Sequence, residues 1–536
     1  MFILLTGLSV SIGWGIRGQF GHEYGAALAG AIGGMAIALA SGRPDWLRRI
    51  PFFALLGAIG FAFGGSMSYM KDIWFTHSSD PATVLYGFAC VFIVGALWAA
   101  PAGVGLALAA YLSREQLTRL VVLACWILGL WYVRDCVVGF LPDLPIRHFL
   151  GGYSANAILA ALTALAAHLF RRKYCGFGAL LIAYMSVGWL AGQLVLINLV
   201  NVQLNPPRPE TWACCLGMIL GILACCWLHR QPGVGFATLG ALFLGGIGFA
   251  LGCAIKITVM ASGFTTNWHS IMEQTQGLLL GVALAIVFAL LIPRVPAVSD
   301  DPPAGASQSG AAAPVRRWTE SFCVVFVLWL LPYLNFCYGP SEWVGEIKNL
   351  TASLYGIPIT AEFLPARGFI GWLDFVALAL LVALVLLLVL HRRHPLPAVP
   401  SSWIGKGQLF YLVFLWSIVA MNFTFVLPRF TPIRLVTEWF ICINAAFCSV
   451  FVFYASIARQ PTAHPSALAP SLAAGSPDPT PYAQWMRRTV FFGLIGAVLV
   501  CFFGFGIKLA CWGNQPAGQM GIVPIRFGPS NTNDIP

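Results

Sequence analysis

Stretches of about 20 apolar residues, each long enough to cross the ~30 Å hydrocarbon core of a bilayer, alternate with short polar segments along this whole chain. Lipid offers the backbone no hydrogen-bonding partner, so every stretch that crosses is predicted to be helical. About fifteen transmembrane spans are predicted, near 2–20, 23–41, 51–70, 83–111, 117–140, 154–170, 177–200, 211–229, 234–261, 270–292, 318–338, 369–390, 408–426, 435–457 and 489–510. The stretch 83–111 is long and holds Pro101, which predicts one kinked helix or a helix with a re-entrant end.

A diverged pattern recurs three times along these spans. The first copy, SIGWGIRGQFGHEYGAALAGAIGGMAIAL, runs from Ser11 to Leu39. The second opens as SVGWLAGQ at Ser186 and resumes as PETWACCLGMILGILACC at Pro209, and the third is TEWFICINAAFCSVFVF from Thr437. Glu23, Glu210 and Glu438 are each predicted to open an apolar helix. Small residues follow seven and eleven places later: Gly30 and Gly34, Gly217 and Gly221, Ala445 and Ser449. The next helix repeats as well, as GFAFGGSMSY from Gly60, GFALGCAIK from Gly248 and CFFGFGIK from Cys501.

Successive copies lie six spans apart, an even number, so they share one orientation and form parallel repeats about an axis near the membrane normal. The chain is accordingly read as an all-α polytopic membrane bundle of 6 + 6 + 3 helices. Its units are 1–175, 176–400 with a disordered cytoplasmic loop at 293–317, and 401–536 with a second such loop at 459–485 and an outer tail. Between Tyr338 and Gly368, SEWVGEIKNLTASLYG has helical spacing and is predicted to lie on the membrane surface or over a cavity.

Composition agrees with lipid burial. Of the 536 residues, 59% are hydrophobic and 9% charged, where a soluble domain carries about 25% charge. The formal charge of +11 does not point to nucleic acid, because the basic residues sit between spans and not in a stripe. Loops after even-numbered spans hold most of them, among them Arg48, Arg114, Arg171, Arg230, Arg316, Arg392 and Arg487. The positive-inside rule then places the N-terminus in the cytoplasm and the C-terminal tail outside a plasma or inner membrane. The start, MFILLTGLSV, lacks a basic n-region, so no removable signal peptide is expected. The 15 cysteines include no CxxC and read as small apolar packing residues. Cys136, Cys337 and Cys511 fall near the outer side, where a disulfide stays open.

The chemistry concentrates in RGQFGHE. Arg17, Gln19, His22 and Glu23 fall within seven residues between two apolar spans, spaced by Gly18 and Gly21. An Arg fork suits carboxylate or phosphate, and a His beside a Glu can move a proton near neutral pH. Ala26 and Ala27 follow where a zinc protease's HExxH needs its second His. Lys71, Arg134, Arg208 and Lys256 are the expected neighbours, all toward the outer ends of spans, in an outward-opening polar cavity. Basic residues outnumber acids in this set, so the expected ligand is a small solute with an anionic group. Bland readings compete: Lys256 and Lys508 also fit snorkelling, the three glutamates fit helix capping, and Asp72, Asp143 and Glu342 read as ordinary loop charges.

No P-loop, dinucleotide motif, nucleophile elbow or Cys/His ligand set occurs, so no cofactor or metal is predicted. The first functional reading is a permease for a small polar, anionic solute. The alternative is a membrane-embedded enzyme with an outward-facing site for a lipid-linked or phosphorylated substrate, with His22 and Glu23 as its catalytic candidates. A scaffold or assembly subunit is the third. The expected partners are the lipid bilayer and a small molecule, with no nucleic acid.

Overall fold

In the computed structural model, the described residues are 1–20, 23–65, 67, 69–140, 147, 150, 152–170, 176–202, 209–296, 318–337, 372–426, 431–457 and 480–517. Within those segments the side chains of Gln19, Lys71, Glu210 and Asp374 lie outside the description. Among the described residues 88% are helical and none is in a strand.

The helices are α1 (Phe2–Phe20), α2 (Glu23–Ala40), α3 (Pro44–Arg48), α4 (Ile50–Gly64), α5 (Met70–Thr76) and α6 (Pro81–Tyr111). Next come α7 (Arg114–Phe140), α8 (Tyr153–Phe170), α9 (Gly176–Gly192, prolonged by a π-helical segment Gln193–Leu199), α10 (Pro209–Leu228), α11 (Pro232–Met260) and α12 (Trp268–Leu291). A second π-helical segment, Phe326–Leu330, joins α13 (Trp318–Val325) to α14 (Leu331–Cys337). The last are α15 (Trp372–Arg393), α16 (Trp403–Val426), α17 (Pro432–Ile457) and α18 (Thr480–Trp512).

Among the described residues, twelve helices are long and apolar enough to cross a membrane, and Phe2–Gly18, Ile50–Gly64 and Tyr153–Leu169 are shorter apolar helices. The protein is therefore a multi-pass, all-helical membrane protein. The side chains of α15 make the case most directly, since no residue of its apolar window Val376–Arg393 is buried and most are exposed. A soluble monomer rarely leaves more than a few hundred Å² of contiguous apolar surface uncovered.

Local sequence explains several boundaries. The Asp80 carboxylate accepts from the Thr83 amide at 2.8 Å, and Pro81 follows at the first helical position, so α6 starts there. Of the two forms expected for 83–111, the structure holds the uninterrupted one: α6 is a single 31-residue helix with Pro101 inside it. The tether expected at 459–485 is shorter than its composition implies, because α18 is already helical from Thr480. The rest of that tether, the tether's 297–317 portion and the surface helix expected within 338–368 lie outside the described residues.

The chain divides into two compact units. The first comprises Met1–Gly65, Phe264–Ala285 and Glu320–Arg459, and the second Ser66–Gly263, Ile286–Thr319 and Gln460–Pro536. In the first, α1, α2 and α4 pack side by side, and α16 and α17 lie against α1 and α2. In the second, α6 and α11 pair along their lengths, α5 and α18 pack on that pair, and α7 to α10 continue the bundle.

Glycine sets the closest approach within the second unit. A Cβ on Gly217 of α10 would stand 2.1 Å from the carbonyl oxygen of Gly188 on α9, and one on Gly188 would stand 2.3 Å from that of Gly217. Only a residue without a side chain lets two helix backbones meet so closely. Gly221 is held in the same way against the Tyr184 carbonyl. In the first unit, Gly30 of α2 meets the Gly57 carbonyl of α4. The recurring small residues Gly30, Gly217 and Gly221 thus stand at close helix contacts, and Gly34 is buried. The four cysteines of α10 are all buried, in keeping with packing roles, and Cys136 and Cys511 are free thiols.

Candidate functional site

Arg17 lies in the last turn of α1, fully enclosed by the first unit. Its Nη2 donates to Oε1 of Glu273 on α12 at 3.0 Å, with side-chain exposures of 2% and 5%. The guanidinium also stands 4.8 Å from the ring centroid of Trp14, one turn earlier on α1. Two glycines make room for this meeting. A Cβ on Gly18 would fall 2.3 Å from Oε2 of Glu273, and one on Gly15 would fall 2.5 Å from Cγ of Gln274. Gly277 and Gly281 of α12 face Trp14 and Thr6 of α1 equally closely, so the two helices touch over several turns.

The start of α12 is built to hold Glu273 in place. Asn267 caps the helix, its Oδ1 accepting from the Ser270 amide at 3.2 Å. The Asn267 amide and the Thr266 hydroxyl both donate to the Ile433 carbonyl at the start of α17. Gln274 Nε2 donates to the Thr437 carbonyl of α17 at 3.0 Å, and Ser11 of α1 donates to the Gln274 carbonyl at 2.8 Å. Beside Thr437, Glu438 accepts a short hydrogen bond from Asn422 Nδ2 of α16. His269, one turn before Glu273, places Nε2 3.5 Å from the same Oε1 that Arg17 holds and is one-third exposed. Four helices of one unit thus bring an ion pair, an amide and an imidazole together in an apolar surround.

Of the residues expected to form the site, Arg17 and Glu23 lie in this unit, Arg17 buried and Glu23 half-buried in the first turn of α2. His22 and Arg208 lie outside the described residues, as do the side chains of Gln19 and Lys71. Arg134 belongs to the second unit, where it pairs with neighbouring Asp135 at 2.8 Å and donates to the Leu150 carbonyl at 2.7 Å. Lys256, on α11, is half-buried in that unit. Glu438 does not open its helix: α17 begins six residues earlier, so this glutamate stands in the second turn, and capping does not explain it. Lys508 reaches the end of α18, where Nζ donates to the Gly513 carbonyl at 2.8 Å.

Asp72 is a second correction. It reads as a loop charge in the sequence, yet α5 tucks it into the second unit with no exposed surface. A groove at the first turns of α7 and α9, lined mainly by Leu112, Leu120, Leu123 and Phe177, includes none of the expected site residues.

Glu273, Gln274 and His269 are the partners that sequence reasoning left out of the site. Their signal is visible in NWHSIMEQTQG, where His269 and Glu273 stand four apart on one face of an apolar helix. Compared with protein-family models, curated proteins and solved structures, the chain shows no significant match, so the functional reading rests on its own residues.

Proposed function

We propose that this protein is a membrane permease for a small polar solute bearing a carboxylate, phosphate or sulfate, and that Arg17 receives the anion. The observation that carries this reading is the Arg17–Glu273 pair, a charge pair inside an apolar helix bundle. Ionisable groups so placed are costly to desolvate and mark solute or ion pathways far more often than packing requires. Glu273 holds Nη2 of the Arg17 guanidinium, and in this reading a solute anion takes its place. The recurring sequence segments support the carrier reading, since parallel repeats place a site between structurally related helices.

In the same reading the three shorter apolar helices also cross, giving fifteen spans in 6 + 6 + 3 parallel repeats. The N-terminus is then cytoplasmic and the C-terminal tail outside a plasma or inner membrane. The test is uptake of radiolabelled carboxylates, phosphate and sulfate into proteoliposomes. One class should enter above the empty-vesicle rate, Arg17→Ala should abolish that uptake, and Arg17→Lys should restore little because the planar fork is lost. Uptake unchanged in Arg17→Ala overturns the assignment.

A membrane-embedded enzyme is the second reading. It is favoured by the 3.5 Å approach of His269 to Glu273, a histidine–carboxylate pair of the kind that moves protons in catalysis. Turnover of a phosphorylated or lipid-linked substrate without vesicle uptake, lost in His269→Ala, would select it.

A further inference from the structure

The second unit holds a carboxyl that nothing above uses. Asp72 sits in the first turn of α5 with 0% exposure, and neither of its oxygens has a hydrogen-bonding partner among the described residues. An isolated buried carboxylate is among the most expensive groups a protein can hold, whereas the protonated acid is only a polar group. Among the described residues, burial alone acts on its ionisation, with no opposing charge. From α6, Tyr86 and Cys90 lie close enough to interact electrostatically with Asp72, and both are neutral in their ordinary states. From α18 come Cys501, next to Cys90, and Lys508, whose ammonium is turned to the Gly513 carbonyl. Just past the end of α5, His77 directs Nδ1 at the Ile73 carbonyl, 2.7 Å away. Burial pushes the Asp72 carboxyl well above the usual carboxylate range.

We propose that Asp72 is a proton-binding site: it carries a proton at neutral pH inside the second unit, releases it only when water reaches α5, and thereby couples solute movement to a proton gradient. The coupling part rests on the permease reading; the proton site does not. The chemistry is a reversible O–H ionisation, with bulk water as the source and acceptor of the proton.

Two measurements decide it. The first needs no solute. A hydrophobic carbodiimide adds to buried protonated carboxyls and not to carboxylates. Wild-type protein at neutral pH should be modified at Asp72, located by peptide mass spectrometry, with modification fading at alkaline pH. Asp72→Asn should lose that modification and the infrared carbonyl band of a protonated acid, and Asp72→Glu should keep both. The Glu variant serves if the Asn variant does not fold. An unmodified Asp72, with the same infrared spectrum in wild type and Asp72→Asn, shows an ionised carboxylate and overturns the proposal.

The second measurement is uptake of the carboxylate, phosphate and sulfate panel with and without an inward proton gradient. The gradient should drive accumulation in wild type, and Asp72→Asn should lose accumulation while keeping solute exchange at equal pH. Uptake indifferent to the gradient in wild type overturns the coupling and leaves the permease reading standing. No uptake of any panel member by wild type removes the permease reading and the coupling together, and carbodiimide labelling alone then decides the proton site.

Discussion

Arg17 on α1 and Glu273 on α12 are 256 residues apart in the chain and 3.0 Å apart in space, with neither side chain more than 5% exposed. Truncating one partner breaks a buried charge pair, a loss of about 3–5 kcal/mol, whereas replacing both with apolar residues of similar size is often near neutral. Arg17→Met and Glu273→Leu should therefore each lower the thermal midpoint sharply, and the double variant should recover most of the difference. A double variant as unstable as the sum of the singles would show that the two residues do not act as a pair.

Gly18 and Gly217 both stand where a Cβ collides, but with different atoms, and that difference predicts different phenotypes. At Gly18 the obstacle is Oε2 of Glu273, the free end of a flexible side chain. Gly18→Ala should push the carboxylate off Arg17 at a cost of about 3–5 kcal/mol, and that cost should shrink in the Arg17→Met, Glu273→Leu background, where no ion pair is left to break. At Gly217 the obstacle is the Gly188 backbone, which cannot step aside. Gly217→Ala should force α9 and α10 apart, at about 1–3 kcal/mol or more. Thermal unfolding of the two purified variants, side by side, checks the contrast.

The contrast also marks what the sequence could and could not reveal. Apolar stretches near 20 residues were enough to predict a helical membrane bundle, and the recurring glycines of α2 and α10 mark some of its close helix contacts, because lipid and backbone geometry act locally. Arg17 was legible as unusual for the same reason: a guanidinium within an apolar span is expensive wherever it points. Its partner was not legible, because pairing α1 with α12 is a long-range property that no local spacing encodes. Asp72 was misread for a related reason. A charged residue just past an apolar stretch looks like the start of a loop, and only the return of α5 against α6 buries it.

Asp45 joins two guanidinium groups in the α2–α4 connection. It accepts from Arg43 Nη2 and from Arg49 Nη2, each at 2.7 Å, and the Arg49 side chain is completely buried. Asp45→Asn should remove the carboxylate that a completely buried guanidinium pairs with and cost about 3–5 kcal/mol. Arg43→Gln removes a partner that is 14% exposed and should cost much less, within about 1 kcal/mol. Denaturant or thermal titration of both variants tests the ranking.

The proposed topology is open to a direct labelling experiment. With the loop 293–317 in the cytoplasm, a single cysteine introduced at Ser309 should resist an impermeant thiol reagent added to intact cells and react once the membrane is opened. Labelling from outside in intact cells would reverse the orientation of the whole chain.

Asp72 should also leave a signature in the pH dependence of stability. Its folded pKa is raised above the ordinary aspartate value of 3.8, so between those two pKa values the folded state binds more protons than the unfolded state. Stability must then fall as pH rises through that window, the reverse of the usual carboxylate behaviour. Asp80 gives the opposite sign in the same unit. The Thr83 hydroxyl and amide stabilise its charged form and lower its pKa, so its contribution is present above the ordinary value and is lost as pH falls through the folded one. Asp72→Asn should remove the decline of the thermal midpoint from mildly acidic to alkaline pH and leave the acid limb intact, and Asp80→Asn should do the reverse. If the alkaline limbs of wild type and Asp72→Asn superimpose, the carboxyl at α5 is not the group that titrates there.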